Sequence, residues 1–561
     1  MQTPLNQVMN PTDEQRHEML KNSLATAGRP EDYEYIIQNL SPPPEITEYA
    51  LPGELRGIKI GIIGGGLAGM SAAFELRKLG ADITILEASE GRIGGRVYTY
   101  YFDPEGKYFG EFGALRIPAS HETTWYYVNL FGLKTYPLTS PEYNNFLYVH
   151  NTRLRTTESV EEYLYPKYNL TPQERNTPWS ELSRYAAEHK FVNLPPQIRA
   201  ELIRILPEYS PELLPLMNIS LRENYESLGL SQGAIQLISG AEPMNGSVLH
   251  ISYDEIASRE YSLDTRNTFQ IKGGNINLPY ALYQSFMSDN PPGSNNIRGS
   301  MLGSVTYNLG HYVTGIYQSG YRNKVILKYR NTMEVKESAD IFDYCICAIP
   351  FSTLRNVEIR PYFSNMKMQA IYKLNYIDAQ KTFFFCNRRF WEKNTDYGNM
   401  AGGISFTDLP IQSIIYPADH NICPDAAACS PEEPGVLAAS YNYEQDAARL
   451  GGQEEGRRYD IIRQNVEEVH GLPRGYLNSV VERTETLHWF DEPNYVGALA
   501  LTLPGQKPLF AYENQRPEFH NRVFFAGEHV SAKHGWMQGA LYSGKAAANQ
   551  LAGYFHDSLS V

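Results

Sequence analysis

Residues 1–53 are polar, proline-containing and weakly periodic, and Ser41-Pro42-Pro43-Pro44 reads as an extended connector. The texture changes at Gly57. In Ile58-Lys59-Ile60-Gly61-Ile62-Ile63 nearly every position is apolar, the pattern of a strand buried in a parallel sheet. A glycine cluster follows, then an Ala- and Leu-rich stretch from Met70 to Leu79 with helical spacing. Asp82-Ile83-Thr84-Ile85-Leu86-Glu87 is a second strand, which completes a βαβ unit of about 30 residues. Between 150 and 245 many Glu, Leu, Tyr and Arg residues recur at helical spacing and predict helices over 198–206 and 211–221, an inserted helical domain. Strand-like segments follow at 312–318, 324–329 and 344–349. Residues 353–514 mix strands and helices, Val523-Phe524-Phe525-Ala526-Gly527 is a late strand, and 538–551 is an apolar helix.

The composition narrows the classes. Of 561 residues, 42% are apolar and 20% charged, enough to bury a real core and too apolar for a disordered chain. That length predicts two or three domains. The net charge of −14 argues against a nucleic-acid partner, which would need a basic surface, and weakly against anionic lipid. Five cysteines, Cys345, Cys347, Cys386, Cys423 and Cys429, form no visible disulfide scaffold and favour a reducing compartment. No signal-peptide pattern and no long apolar run is seen, so a cytoplasmic chain without a membrane span is expected. Asn169, Asn218 and Asn245 head glycosylation-type triplets, read as chance matches. Cys423 and Cys429 share a loop with Asp419, His420 and Asp425, but the spacing fits no standard zinc pattern and no metal is expected.

Gly64-Gly65-Gly66-Leu67-Ala68-Gly69 fits GxGxxG. Alone such a run is a weak signal, since plain tight turns are common. Here it follows a strand and opens a helix, and Glu87 ends the next strand 21 residues after Gly66, near the spacing of a ribose-binding carboxylate. Gly64 suits the tight turn, Gly66 the approach of backbone to a pyrophosphate and Gly69 close packing of helix on strand, while the helix N-terminus faces the phosphates. NAD and FAD both use this fingerprint. Gly91-Arg92-Ile93-Gly94-Gly95-Arg96 adds two arginines at a Gly-Gly turn, suited to a second anionic contact or to a solvated loop. The late strand also ends in Gly527-Glu528 and leads into a helix, whose N-terminus could stabilise a negatively charged ring.

Together these pieces resemble the flavin-dependent amine oxidases, and within them the L-amino-acid oxidases. The resemblance covers most of residues 55–555 and is strongest in Gly110-Glu111-Phe112-Gly113-Ala114-Leu115-Arg116-Ile117-Pro118, the Lys381 segment, Asp408-Leu409-Pro410 with Tyr416, and His534-Gly535-Trp536. It implies an α/β fold of mixed α+β character: a Rossmann-like FAD-binding domain (54–100, 268–352, 515–561), a mixed-sheet substrate domain (101–150, 245–267, 353–514) and an inserted helical domain (151–244). It implies FAD contacts from Gly64, Gly66, Leu67, Ala68, Gly69, Glu87, Ala88, Arg92, Gly95 and Arg96, from Gly113, Ala114, Leu115 and Arg116, and from Val313, Glu528, Gly535, Trp536, Met537 and Ala540. The run from Glu87 to Arg96 is one residue longer than is common in the family. No cysteine lies between 480 and 510, where related enzymes attach the flavin, so non-covalent FAD is expected.

Several residues also carry a reading of their own. A guanidinium at Arg116, in a mostly apolar stretch, is costly to bury without an anion. An amino-acid carboxylate matches it bidentately, whereas an internal salt bridge would be the structural alternative. Lys381 interrupts the apolar strand Thr382-Phe383-Phe384-Phe385 at its start, where a lysine usually snorkels. The resemblance places Lys381 at a flavin-bound water, Arg116 and Tyr416 on the substrate carboxylate, the Gly535 carbonyl on the ammonium and Trp536 as a wall. It implies oxidative deamination of an L-amino acid by hydride transfer from Cα to flavin N5, with oxygen giving hydrogen peroxide and water giving a 2-oxo acid and ammonia. The rivals are an L-amino-acid 2-monooxygenase, an amine oxidase without carboxylate recognition and a non-catalytic flavin-bound protein. Abundant aromatics slightly favour an aromatic-friendly pocket. A basic substrate would need a distant carboxylate, for which Asp254, Glu255 and Glu242 are placed by position only. The family leans toward homodimers.

Overall fold

The computed structural model describes residues 8–138, 144–294, 296–320, 323–332, 334–419 and 430–559. The βαβ unit forms where its spacing predicts it, as strand β1 (Lys59–Ile63), helix α1 (Leu67–Arg77) and strand β2 (Asp82–Leu86). Farther along come helices α2 (Trp179–Val192) and α3 (Tyr253–Tyr261), strands β3 (Val305–Asn308), β4 (Tyr344–Cys347), β5 (Ala379–Cys386), β6 (Gly435–Tyr443) and β7 (Val523–Phe525), and the closing helix α4 (Met537–Leu559).

Strand β1 sits in the middle of a five-stranded sheet ordered β3-β2-β1-β4-β7, with every neighbouring pair parallel. Such a sheet must be covered on both faces, which is why β1 and β2 are apolar almost throughout. Ile60, Ile62 and Ile63 are buried, and Cys345 and Cys347 of β4 are core residues. Helix α4 lies so close along α1 that a Cβ on Gly544 would stand 2.2 Å from the Ala68 carbonyl oxygen. The second large sheet has seven strands in the order Val481–His488, β5, β6, Ser413–Tyr416, Gly403–Thr407, Phe146–Val149 and Thr152–Arg155. It is antiparallel except where Gly403–Thr407 meets Phe146–Val149.

Two predicted helices are shorter than their pattern. The 198–206 run becomes a short helix, Pro196–Arg199, and a 3₁₀ turn, Ala200–Ile203. The 211–221 run keeps only Leu214–Met217, and a new helix, Leu221–Ser227, starts behind the Ser220 cap. Pro207, Pro211 and Pro215 lack the N–H that a continuous helix would need, so hydrophobic spacing alone overstates both.

The amino-terminal stretch, weakly periodic in sequence, carries the helices Asp13–Thr26 and Tyr33–Leu40. Thr12 and Gln15 form a capping box that starts the first. Buried Arg29 pairs with Asp32 and donates to the carbonyls of Glu260 and Tyr261, and Asp32 also accepts from Arg199. The stretch thereby straps α3 to the helical region. Among the described residues no helix is long and apolar enough to cross a membrane, and no group of three His, Cys, Asp or Glu side chains suits a metal ion. Cys423, Cys429, His420 and Asp425 lie outside the described residues.

Candidate active site

The glycine turn between β1 and α1 opens into a cavity of about 1230 Å³ that runs past β5, β6 and the start of α4 to the helical region. Gly64 takes a φ of +99°, which only glycine adopts without strain. Gly66 caps α1 without a side chain, so the first N–H groups of the helix have no side-chain partner where Gly66, Leu67 and Ala68 meet the cavity. A helix N-terminus left open in this way suits a phosphate. Gly69 is not on the wall. A Cβ there would come within 2.1 Å of the Gly64 carbonyl oxygen, so Gly69 lets helix and turn touch.

Glu87 and Ala88 line the cavity at the end of β2. The Glu87 carboxylate accepts from the Gly65 N–H at 2.7 Å and the Ser89 N–H at 2.8 Å, which fixes it beside the turn. Gly95 and Arg96 are wall residues, whereas Arg92 is not. The Arg92 guanidinium lies over Tyr98 and Tyr495 and faces Glu492 at 3.5 Å, a structural role rather than the anionic contact expected of it. Arg96 pairs with Glu528 at 2.8 Å, and Glu528 also accepts the Gly535 N–H at 2.9 Å. Val313, Met537 and Ala540 complete this side. The bare helix end, the fixed carboxylate and the arginine on the wall fit a dinucleotide cofactor.

Beyond this cradle the loop 111–116 crosses the cavity. Lys381, on β5, donates from Nζ to the Glu111 carbonyl at 2.9 Å and the Gly113 carbonyl at 2.7 Å. Asn275 donates to the carbonyls of Ala114 and Leu115 at 2.9 and 3.0 Å. Lysine and asparagine together hold the loop that presents Arg116, and Gly113, Ala114, Leu115 and Arg116 all reach the wall. Burial lowers the Lys381 pKa to about 7, opposed by the nearby Glu111 carboxylate and assisted by Arg116. Burial raises Glu111 to about 7 against hydrogen bonds from Asn275, Thr99 and Gln270 and the Lys381 charge. Each group thus feels the other's charge without a direct bond between ammonium and carboxylate.

Arg116 itself makes no hydrogen bond or ion pair to any described residue, although it is half-buried in the wall. The internal salt bridge that would have explained it structurally is not there. The tyrosine beside it is Tyr441 rather than Tyr416. Tyr441 pairs with Lys381 across β5 and β6, the Lys381 Nζ sits 4.5 Å from its ring centre, and the Arg116 charge acts on its hydroxyl. That hydroxyl shares a 2.6 Å hydrogen bond with Tyr443.

Tyr416 touches the cavity, but its hydroxyl is committed elsewhere, to His470 Nε2 at 2.9 Å and Ser405 at 2.8 Å. His470 Nδ1 lies 2.7 Å from the Tyr397 carbonyl, which can only accept. Burial lowers the His470 pKa to about 4, so the ring is neutral, its Nε2 is an acceptor and the Tyr416 proton points to it. The Tyr416 hydroxyl thus already has two partners, whereas the tyrosine hydroxyl on which the Arg116 charge acts is that of Tyr441. Nothing in one sequence with 41 tyrosines separates the two; only the strand register does.

At the start of α4, Gly535 has a φ of +76° and its carbonyl accepts no hydrogen bond from a described residue. Trp536 walls the cavity and stands edge-on to His121, with ring centres 4.9 Å apart. His534 bonds Glu255 at 2.8 Å, and Glu255 also accepts from Thr502. Asp254 is held by Ser252 and Lys507. Neither Asp254 nor Glu255 reaches the wall, so two of the three carboxylates singled out for a basic substrate are spoken for, whereas Glu242 does line the cavity.

A family model described as flavin containing amine oxidoreductase matches residues 67–552. An L-amino-acid oxidase of Notechis scutatus scutatus is 28% identical over 492 residues, covering 87% of this chain and 86% of that protein. An L-amino-acid oxidase of Vipera ammodytes ammodytes is 26% identical over 537 residues, covering 95% of this chain and 99% of that one. The solved structure of cyclohexylamine oxidase from Brevibacterium oxydans IH-35A superimposes with a TM-score of 0.65 at 14% identity, over 89% of this chain and 99% of that one, a likeness of fold.

Proposed function

The chain belongs to the flavin containing amine oxidoreductases, and on that premise we propose that it is an FAD-dependent L-amino-acid oxidase. The observation that carries this reading is Arg116, a half-buried guanidinium on the cavity wall with no hydrogen-bond or ion-pair partner among the described residues and with Tyr441 beside it. An unpaired charge in such a place is costly, and a substrate carboxylate offsets that cost with a bidentate pair. An amine without a carboxylate would leave Arg116 unsatisfied. Relatives named L-amino-acid oxidase support the same reading. Non-covalent binding of FAD is supported by the wall itself, where no cysteine appears among the lining residues.

In this reading Arg116 and Tyr441 grip the carboxylate, and the Gly535 carbonyl accepts from the ammonium. Trp536 closes one side. Three fixed points leave the Cα–H a single orientation, and orientation supplies much of the rate. A flavin held by the glycine turn, Glu87 and Arg96 would supply the redox chemistry, the two-electron oxidation of Cα–N with oxygen as final acceptor. Burial brings both Lys381 and Glu111 to about 7, so each can hold or release a proton near neutrality. Amino acid, oxygen and water then give a 2-oxo acid, ammonia and hydrogen peroxide.

The test is an anaerobic mixing of the purified flavoprotein with L- and D-amino acids. Bleaching of the visible flavin band by L-forms is expected, followed in air by peroxide and 2-oxo acid in equal amounts. Amide and carbon dioxide as products would sink the oxidase reading in favour of a monooxygenase. Arg116→Ala should lower kcat/KM for amino acids by several hundredfold, about 3–4 kcal/mol for the lost partner of a buried charge.

A further inference from the structure

The cavity does not end at Arg116. It also reaches the helical region, where three carboxylates line it: Glu188 on α2, Glu260 near the end of α3, and Glu242 just before the short helix Pro243–Gly246. Glu188 is 7% exposed and has no hydrogen bond or ion pair to a described residue. The Glu260 carboxylate has none either; only its backbone carbonyl is used, by Arg29. Glu242 accepts from the neutral donors Ser183 and Asn245. No lysine, arginine or histidine nitrogen of the described residues lies within 4.0 Å of any of the three.

They are close enough to disturb one another. Burial and then the charges of Glu188 and Glu242 raise the Glu260 carboxyl to about 7, and Arg266 opposes them from a distance. Arg184, Arg259 and Arg266 also line the cavity without forming a bridge to the trio, and Asp264 adds a further negative charge. A buried carboxylate such as Glu188, with no bonded partner among the described residues, is unfavourable, and it persists most readily where a ligand brings the missing charge.

The wall toward Arg116 carries positive charge: Arg116 and Arg259, the residue before Glu260 on α3, both act on the Tyr441 hydroxyl. Helix α3 links the two regions: Glu255 holds His534 beside Gly535, and Glu260 is five residues farther along, roughly 7–8 Å along the helix axis.

We infer that Glu188, Glu242 and Glu260 form the side-chain subsite of this enzyme and that its substrates are L-amino acids ending in a cation, such as lysine and arginine. The inference rests on the oxidase reading above and replaces an aromatic preference with a charged one. The direct comparison is lysine against norleucine, which lacks only the terminal amine. With the unaltered holoenzyme, kcat/KM for lysine should exceed that for norleucine more than tenfold; a smaller ratio overturns the subsite. Glu188→Gln combined with Glu260→Gln should lower that ratio at least tenfold, chiefly through KM, and an unchanged ratio overturns it.

A readout without turnover guards against a poorly folded variant. The Tm of the unaltered protein should rise with 6-aminohexanoate and not with hexanoate, and equal shifts would overturn the subsite. Bleaching of the flavin by norleucine in preference to lysine removes the subsite alone. Absence of bleaching by every L-amino acid removes the oxidase reading and the subsite together.

Discussion

Arg116 and Tyr441 owe their roles to what each lacks or finds nearby. Arg116 has no partner among the described residues, and Tyr441 faces Lys381 because the two are register partners across β5 and β6. Tyr441→Phe should lower kcat/KM by roughly tenfold, about 1–1.5 kcal/mol for one hydrogen bond to a charged group. Tyr416→Phe should leave KM within twofold while lowering Tm, since its proton serves His470. Steady-state kinetics on both variants, with melting curves, separates them; the reverse pattern would return the carboxylate contact to Tyr416. Arg116 and Lys381 stood out in the sequence as charges in apolar stretches, and both line the cavity, although Lys381 spends its ammonium on the Glu111 and Gly113 carbonyls. The tyrosine did not stand out, because the direction of a hydroxyl depends on which strand lies alongside, and no local pattern encodes that.

Elements show the same division. The strand–turn–helix at 59–77 was readable because each local requirement agrees with the next: buried strand, positive-φ glycine, uncapped helix start. Gly69→Ala tests the tightest of these contacts, where a Cβ would meet the Gly64 carbonyl oxygen at 2.1 Å. The variant should purify with little flavin and a depressed Tm. Gly91→Ala in the next loop, where a Cβ finds nothing within 4 Å, should stay within about 0.5 kcal/mol of the parent and remain yellow. Flavin absorbance per chain and melting temperature decide both. The helical region was less legible. Its hydrophobic spacing is helical, but prolines at 207, 211 and 215 cut the runs, and the helices that form begin at caps such as Ser220 instead. The helices near the amino terminus were hidden for a different reason. Their stability comes from distant partners such as the Glu260 and Tyr261 carbonyls that receive Arg29.

On the scale of the whole molecule, the His534–Glu255 pair joins α3 to the loop before α4. Both groups are buried. Burial disfavours the imidazolium, yet the Glu255 charge and hydrogen bond raise the His534 pKa above 6.5. Burial likewise works against the carboxylate, but the His534 charge and the Thr502 hydrogen bonds lower Glu255 below 4.5. The signs follow from linkage. The His534 contribution is complete below 6.5 and is lost as pH rises through its raised folded value. The Glu255 contribution is complete above 4.5 and is lost as pH falls through its lowered one. Glu255→Gln should therefore cost about 3 kcal/mol near pH 6, in the window where both contributions hold. The stability gap to the parent should narrow as pH is raised above 6.5. Denaturant or thermal unfolding across pH 5–9 measures it, and a gap independent of pH would show that the pair carries no charge.

The five-stranded sheet has a consequence for how the protein comes into being. Its strands are drawn from residues 59 to 525, and the Arg96–Glu528 bridge closes the cradle from opposite ends of the chain. While the polypeptide is still emerging from the ribosome, the glycine turn is finished early but its wall is not. Strand β7 and helix α4 come after the other parts of the cradle in the chain, so the glycine turn stays without its far wall until both have been made.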